Sequence, residues 1–405
     1  MSGVFLMSGA DRPRIAWLIR GDEQWGVAQA VQGLVAAVRQ RGVTPVILAL
    51  TDGHFAEKCR QSGLIVKTLG LPRPPSLTGN ILNKMRLTMK LSAFSRKAAP
   101  TVAAAVQECQ ADWLHFIWAD LMDVAGRAAA HAGIPCTWEM ATILGRYPFA
   151  INRHIRQRQL AKYAIIPLAN SRYTAASLGD KPVKTTVMYL GIDPDLFNPK
   201  TVKFRSRREF SIPEDAIVLG VVARLRSAKG QLQVIQAMAA LGKEYPNLHL
   251  ILAGGTLTGS EDAYLMEIKK IAEANHFTQR LHVVGEIERP ETLYGIIDIP
   301  INALLGAESF GLSVVEAMMM ERPVLVHAAG GPKETVIDGI TGWHIPEVTS
   351  ASLQVGLKRA IADRPRWNQM GQAARAHALS NFSIHRQADW FVDLVRNRLA
   401  SANRP

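Results

Sequence analysis

Apolar runs of five to eight residues, most of them rich in Val, Ile and Leu, recur along this chain with helical segments between them. No other feature restricts the fold as much. Continuous apolar strands are buried on both faces, and parallel strands need a crossover of a dozen or more residues, which is usually a helix. In the first half the strand candidates are Arg14–Ile19, Thr44–Leu50, Leu64–Leu69, Asp112–Ile117, Pro135–Met140 and Tyr163–Ala169. The second half restarts the pattern with Ala216–Ala223, Leu248–Gly254, Leu281–Gly285, Asp298–Leu304 and Pro323–Ala328. The segment GVAQAVQGLVAAVRQRG between the first two strands is apolar at helical spacing, with Gly42 placed to cap it. The stretch GIDPDLFNPKTVKFRSRREFSIPEDA separates the two halves, lacks periodicity, and reads as an interdomain linker. The expectation is an α/β protein of two doubly wound Rossmann-like domains facing a central cleft, with ligands at the carboxyl ends of the strands. The division expected is 1–195, 196–380 and a C-terminal amphipathic helix over 381–405 that returns to the first domain. A chain of 405 residues accommodates two such domains.

Charge narrows the partners. The chain carries 47 basic and 34 acidic residues, and residues 1–195 hold 23 of the first and only 13 of the second. No acid occurs between Glu57 and Glu108 or between Glu139 and Asp180, while Arg and Lys continue through both windows. Nucleic acid, an anionic bilayer, a phosphorylated substrate and a merely solvated basic surface all satisfy that arithmetic. Nucleic acid is the weakest of these, because basic and aromatic residues are not interleaved and no binding module is present. Cys59, Cys109 and Cys136 show neither CxxC pairing nor metal-ligand spacing, and no apolar run approaches the length of a membrane span. The opening MSGVFLMSGADRPR lacks the basic and apolar regions of a signal peptide, and its repeated MSG offers Met7 as a second start. A cytoplasmic location is expected, peripheral to the inner membrane face if the basic surface meets lipid.

The chemistry gathers in the second half. In AESFGLSVVEAMMMERPVLVHAAGG, Glu308 and Glu316 bracket a glycine that permits entry into a helix near Leu312. Amides of Phe310, Gly311 and Leu312 at a helix N-terminus would be donors for an anion. A carboxylate on each side of an anion site suits a sugar nucleotide, in which hexose, diphosphate and ribose follow one another; solvated or capping carboxylates are the alternative reading. Upstream, VVARLRSAKG places Arg224 just past a strand and Lys229 five residues on, two cations able to neutralise a diphosphate leaving group. LAGG (Leu252–Gly255) is a strand running into a glycine turn, where Gly254 allows a backbone to approach a ligand closely.

The order R-x-x-x-x-K-G, LAGG, a VVGE-like strand end, E-S-F-G-L-x-x-x-E-A-M, P-V-L-V-x-x-x-G-G-x-x-E and DGxTGW resembles the retaining GT-B glycosyltransferases of the large glycogen-synthase-like and sucrose-synthase-like group, the glycosyl transferases group 1. LANSRYTAASL and MYLGIDPDLFNP resemble the segment these enzymes carry before their linker. The resemblance implies a hexosyltransferase that takes a nucleotide-diphosphate sugar in the second domain and an acceptor mainly in the first. The product would keep the anomeric configuration, with neither cofactor nor metal required. Arg224 and Lys229 would hold the diphosphate. Glu308 would contact the hexose, the segment Ser309, Phe310, Gly311 and Leu312 the sugar and phosphate, and Glu316 the ribose. Asp193–Asp195 is then a turn rather than a metal-binding pair. Two departures fall in the first half. Its first βα loop, DEQWGVAQ, has only Gly26, which would still contact the donor phosphate, and the place of an active-site histidine is taken by Ala141. His115 and Glu139 remain as acceptor-side candidates, with a satisfied core histidine as the other reading of His115. A sugar-nucleotide 2-epimerase and a non-catalytic sugar-nucleotide-binding subunit are the competing functions. Finally, LTGNILNKMRLTMKLSAFSRKAAP interleaves Lys84, Arg86, Lys90, Arg96 and Lys97 with apolar residues. Such a helix suits either an anionic bilayer or ordinary packing, and a lipid-linked or cell-surface glycan precursor is the acceptor it suggests.

Overall fold

The computed structural model describes residues 12–23, 25–75, 81–145, 151–256 and 259–402, and the candidate starts Met1 and Met7 lie outside them. Residues Met1–Gly191 together with Ile384–Pro405 form one compact unit, and Ile192–Ser383 form a second.

The first unit is built on seven parallel strands: β1 (Arg14–Ile19), β2 (Thr44–Ala49), β3 (Ile65–Thr68), β4 (Trp113–Phe116), β5 (Cys136–Met140), β6 (Ile165–Ala169) and β7 (Thr186–Val187). They lie in the order β3-β2-β1-β4-β5-β6-β7. The second unit has β8 (Ile217–Val222), β9 (Leu248–Ala253), β10 (Leu281–Gly285), β11 (Ile299–Asn302), β12 (Val324–His327) and β13 (Gly342–Ile345), in the order β10-β9-β8-β11-β12-β13. Both orders are doubly wound. The chain starts mid-sheet, winds outward, and returns to wind the other way, so a crevice opens where the direction reverses. In the first sheet that point lies between β1 and β4, in the second between β8 and β11.

Burial follows from this arrangement. All six residues of β9 are buried, as are five of the six in β8, because helices cover both faces of a parallel sheet. Helix ends follow local chemistry. Ser171 accepts the amide of Thr174 at 3.0 Å and Thr349 that of Ser352 at 3.2 Å, while Gly42 takes φ 83° behind the helix Trp25–Arg39.

Three features differ from the sequence expectation. Strands β7 and β13 were not anticipated; each is short, and GWHI lies inside the DGxTGW turn motif. The supposed linker is largely part of the second unit's body. Arg207 bonds Asp298 at 2.8 Å and the carbonyls of Glu214 and Ala216, and a Cβ on Gly295 would stand 2.1 Å from the Phe204 ring. The units divide at Gly191/Ile192 and Ser383/Ile384 rather than at residues 195 and 380, since Ile192 donates to the carbonyl of Phe382 at 2.8 Å.

The helix Ile384–Ala402 belongs to the first unit, as expected. Ile384, Ala388, Phe391, Val392 and Val395 are buried in the core it shares with Trp17, Val31 and Val35. Polar contacts fix its register: Arg41 pairs with Asp389 at 2.5 Å and donates to the carbonyl of His385 at 2.9 Å, and Gln387 accepts the Gly191 amide at 2.7 Å.

Candidate functional site

The second unit gathers its chemistry at the carboxyl ends of β8, β11 and β12. Arg224 follows β8 by two residues, and a 3₁₀ turn over Ser227–Lys229 then carries Lys229 back towards the sheet. Gly230 makes that turn fit, with φ 71° and a virtual Cβ only 2.0 Å from the carbonyl oxygen of Ala303. The ammonium of Lys229 lies 3.0 Å from Glu308 Oε2, so the two motifs found 79 residues apart in sequence form one half-buried ion pair. Gln231 holds the carbonyl of Arg224 at 2.8 Å, and the Arg224 guanidinium has no partner among the described residues. Gly254, at φ 151°, passes so close to this loop that a Cβ would sit 2.1 Å from the carbonyl oxygen of Ala223.

Glu308 is held in place by backbone. Its amide donates to Ala329, its carbonyl accepts from Gly331, and its Oε1 accepts from the amide of Ser309 at 3.2 Å. Gly311 enters the helix Leu312–Met319 at φ 91°, and the amides of Gly311 and Leu312 have no hydrogen-bond partner among the described residues. The Phe310 side chain does not take part: it is buried, edge-on to Phe382 at 5.7 Å. Glu316 lies further along the helix, 7% exposed, and accepts from the hydroxyl of Tyr294 at 3.1 Å. Burial pushes its carboxyl up from 4.5 to about 7, against the opposing pull of that hydrogen bond.

The loops after these strands and the helix Leu312–Met319 thus supply a cation, an ion pair, free helix amides and a recessed carboxylate. Such a set can neutralise a diphosphate and meet the hydroxyls on either side of it. Asp193, by contrast, turns its carboxylate onto its own backbone, accepting the amides of Asp195 at 2.9 Å and Leu196 at 3.4 Å.

In the first unit the candidates are less accessible. His115 sits inside β4 rather than at its end. It is wholly buried between Trp17 and Phe391, with Nδ1 2.9 Å from Thr137 Oγ1 and Nε2 3.2 Å from Glu139. Glu139 is 4% exposed. Gly26 is not in the βα loop but in the first turn of the helix Trp25–Arg39.

The loop after β1 is organised instead by Glu23, which sequence reasoning missed. Its carboxylate accepts the amides of Arg20 at 2.7 Å and Gly21 at 2.9 Å and the Trp118 indole at 2.8 Å. Arg20 lies over the Trp118 ring at 4.0 Å and pairs with Asp120. This cluster stands at the reversal point of the first sheet. The signal available in sequence was the acid in DEQWG, which only the strand order joins to Trp118 and Asp120. Asn170 was also missed. It is 1% exposed and donates to the carbonyl of Ala141, the residue at which the resemblance would place a histidine.

Residues 202–377 match the family described as glycosyl transferases group 1. The chain is 30% identical over 195 residues to a lipopolysaccharide 1,2-N-acetylglucosaminetransferase of Salmonella typhimurium, an alignment covering 47% of this chain and 51% of that protein. It is 28% identical over 276 residues to a D-inositol 3-phosphate glycosyltransferase of Stackebrandtia nassauensis, covering 64% and 60%. The chain thus spans about half to three-fifths of the length of these curated relatives. Among solved structures, Anabaena HepE in complex with UDP and glucose superposes with a TM-score of 0.74 at 22% identity, covering 94% of this chain and 98% of that one, a likeness of fold. The matched residues 202–377 lie within the second unit, and the two parallel sheets have the arrangement of the Rossmann-like halves of the GT-B fold.

Proposed function

We propose that this protein transfers a hexose from a nucleotide-diphosphate sugar to an acceptor hydroxyl with retention of anomeric configuration. The observation that carries the reading is the contact of Lys229, from the turn after β8, with Glu308, from the loop before the helix Leu312–Met319, with Arg224 beside the one and the Gly311 and Leu312 amides and Glu316 following the other in sequence. As the bond from the anomeric carbon to the diphosphate lengthens, positive charge grows on the sugar and negative charge on the leaving oxygen. Arg224, Lys229 and the helix amides stabilise the latter without metal. Glu308 meets the hexose hydroxyls and Glu316 the ribose. The acceptor hydroxyl attacks from the face the diphosphate leaves, and the leaving phosphate takes its proton.

One assay tests this. The purified protein is incubated with UDP-, GDP- and ADP-hexoses, with and without glycan acceptors, and product configuration is read by proton NMR. Acceptor-dependent release of nucleoside diphosphate, an unchanged anomeric configuration and activity surviving EDTA are expected. An acceptor-independent change of the sugar would favour a 2-epimerase, and tight binding without turnover a non-catalytic subunit. Loss of activity in EDTA restored by Mg²⁺ would overturn the metal-free step.

The acceptor reading is a lipid-linked or cell-surface glycan precursor taken by the first unit at the cytoplasmic face of a membrane. On the helix Ile81–Glu108, Arg86, Lys90, Arg96 and Lys97 are exposed and Met89 is 68% exposed, which supports it; the side chain of Lys84 lies outside the described residues. No helix among the described residues is long and apolar enough to cross a membrane. Co-sedimentation with anionic but not neutral vesicles is expected, and it should be lost when Arg86, Lys90 and Lys97 become Glu. Each basic residue near such a surface contributes about 1 kcal/mol. Absence of binding at low salt would leave a water-soluble acceptor.

A further inference from the structure

A residue that the motif order leaves unused is tied by hydrogen bonds to the loops that carry Lys229 and Glu308. His327 ends β12, and its Nδ1 lies 2.7 Å from the carbonyl oxygen of Leu304. A carbonyl only accepts, so Nδ1 carries the proton, and the neutral ring presents Nε2 as a lone-pair acceptor. Nε2 has no partner among the described residues, and the ring is half-buried rather than sealed. The surroundings tie the ring to the site. Leu305 donates to the carbonyl of Ala228 at 2.9 Å, Glu308 to that of Ala329 at 3.1 Å, and Ala329 to that of His327 at 2.8 Å. The turn bearing Lys229, the loop Leu304–Glu308 and the end of β12 are therefore one hydrogen-bonded assembly.

We propose that Nε2 of His327 accepts a hydrogen bond from a hydroxyl of the donor's sugar, making His327 a specificity-determining residue for the hexose. The inference rests on the donor reading above and adds to it. An ionised phosphate has no hydrogen to give and would face the lone pair repulsively, whereas a sugar hydroxyl donates. Because the Leu304 carbonyl fixes the ring, the acceptor points in one direction, and a sugar whose hydroxyl is missing there leaves Nε2 unpaired.

Calorimetry on the full chain tests the assignment, with UDP, GDP and ADP compared against UDP-glucose, GDP-mannose and ADP-glucose. His327→Asn keeps a donor near the Nδ1 position for Leu304 but removes the acceptor; His327→Gln reaches towards the Nε2 position. The expected result for His327→Asn is unchanged affinity for the diphosphate and about 5- to 10-fold weaker affinity for the sugar nucleotide that wild type prefers. His327→Gln should recover part of the loss. The wild-type advantage should also vanish for the deoxy analogue lacking the contacted hydroxyl. Equal weakening of diphosphate and sugar nucleotide would put the ring on phosphate and overturn the proposal; so would unchanged affinity for both in a variant with wild-type thermal stability. Failure of wild type to bind any of the six probes would overturn the donor reading itself.

Discussion

Glu316→Gln should make the unliganded protein more stable at alkaline pH while weakening its hold on the donor. The native carboxyl is pushed up to about 7 by burial, from 4.5. Between those values the native state keeps a proton that the unfolded chain has released, so stability falls as pH rises through that window and the full cost is present above it. A shift of this size corresponds to about 3 kcal/mol. Glutamine removes the charge and still accepts from the Tyr294 hydroxyl. Urea unfolding should therefore show the variant more stable by about 3 kcal/mol at pH 8 and by less than about 1 kcal/mol at pH 5. The same substitution, like Glu316→Ala, exchanges or removes the carboxylate assigned to the ribose, and a charge-assisted contact of about 1.5–3 kcal/mol predicts donor binding weaker by roughly 10- to 150-fold. Equal stabilities at pH 8 would show that Glu316 is not held ionised at a cost. Unchanged donor affinity would take the ribose contact from it.

Lys229→Ala and Arg224→Ala should each slow turnover, by about 10² to 10³ if they act on the charge that develops on the leaving diphosphate. The two need not respond alike. Removing Lys229 also strands Glu308, whose side chain is only 18% exposed and otherwise takes a single amide hydrogen bond at 3.2 Å. Lys229→Ala should therefore lower both kcat and donor affinity, whereas Arg224, with no protein partner among the described residues, should act mainly on kcat. In Lys229→Ala/Glu308→Ala the combined loss should be smaller than the sum of the single losses, because the pair acts as one unit. Steady-state kinetics on wild type, Lys229→Ala, Arg224→Ala, Glu308→Ala and the double variant decides this; near-wild-type turnover in both Lys229→Ala and Arg224→Ala would remove the diphosphate clamp.

Sequence reasoning succeeded where residues act through their neighbours along the chain. Strand β1 was bounded to the residue, and the local elements of the second unit's motifs were legible, because Arg224 and Lys229 lie five residues apart around one turn and Glu308 through Glu316 share one loop and helix. It did less well in the first unit. Glu23, Trp118 and Asp120 lie up to 97 residues apart and meet only because β1 and β4 are neighbours at the point where the sheet reverses. Charged side chains at that distance give no periodic signal, whereas His115 and Glu139 stood out by residue type and proved to be an internal pair beneath the C-terminal helix.

Alternation of short apolar strands with helices determined an α/β chain with covered parallel sheets, since helices on both faces are what bury such strands, and the strand order then made each sheet doubly wound. The motif order carried the resemblance to glycosyl transferases group 1, the family that residues 202–377 match, because its glycines and charges lie within a few residues of one another along the chain. Tertiary structure alone decided which groups are available. It joined Lys229 to Glu308 across 79 residues, sealed His115, raised the carboxyl of Glu316 by burial, and locked His327 against Leu304 with one nitrogen left to accept. Desolvation and hydrogen-bond partnership depend on neighbours brought together from distant parts of the chain, and a linear sequence does not encode them locally.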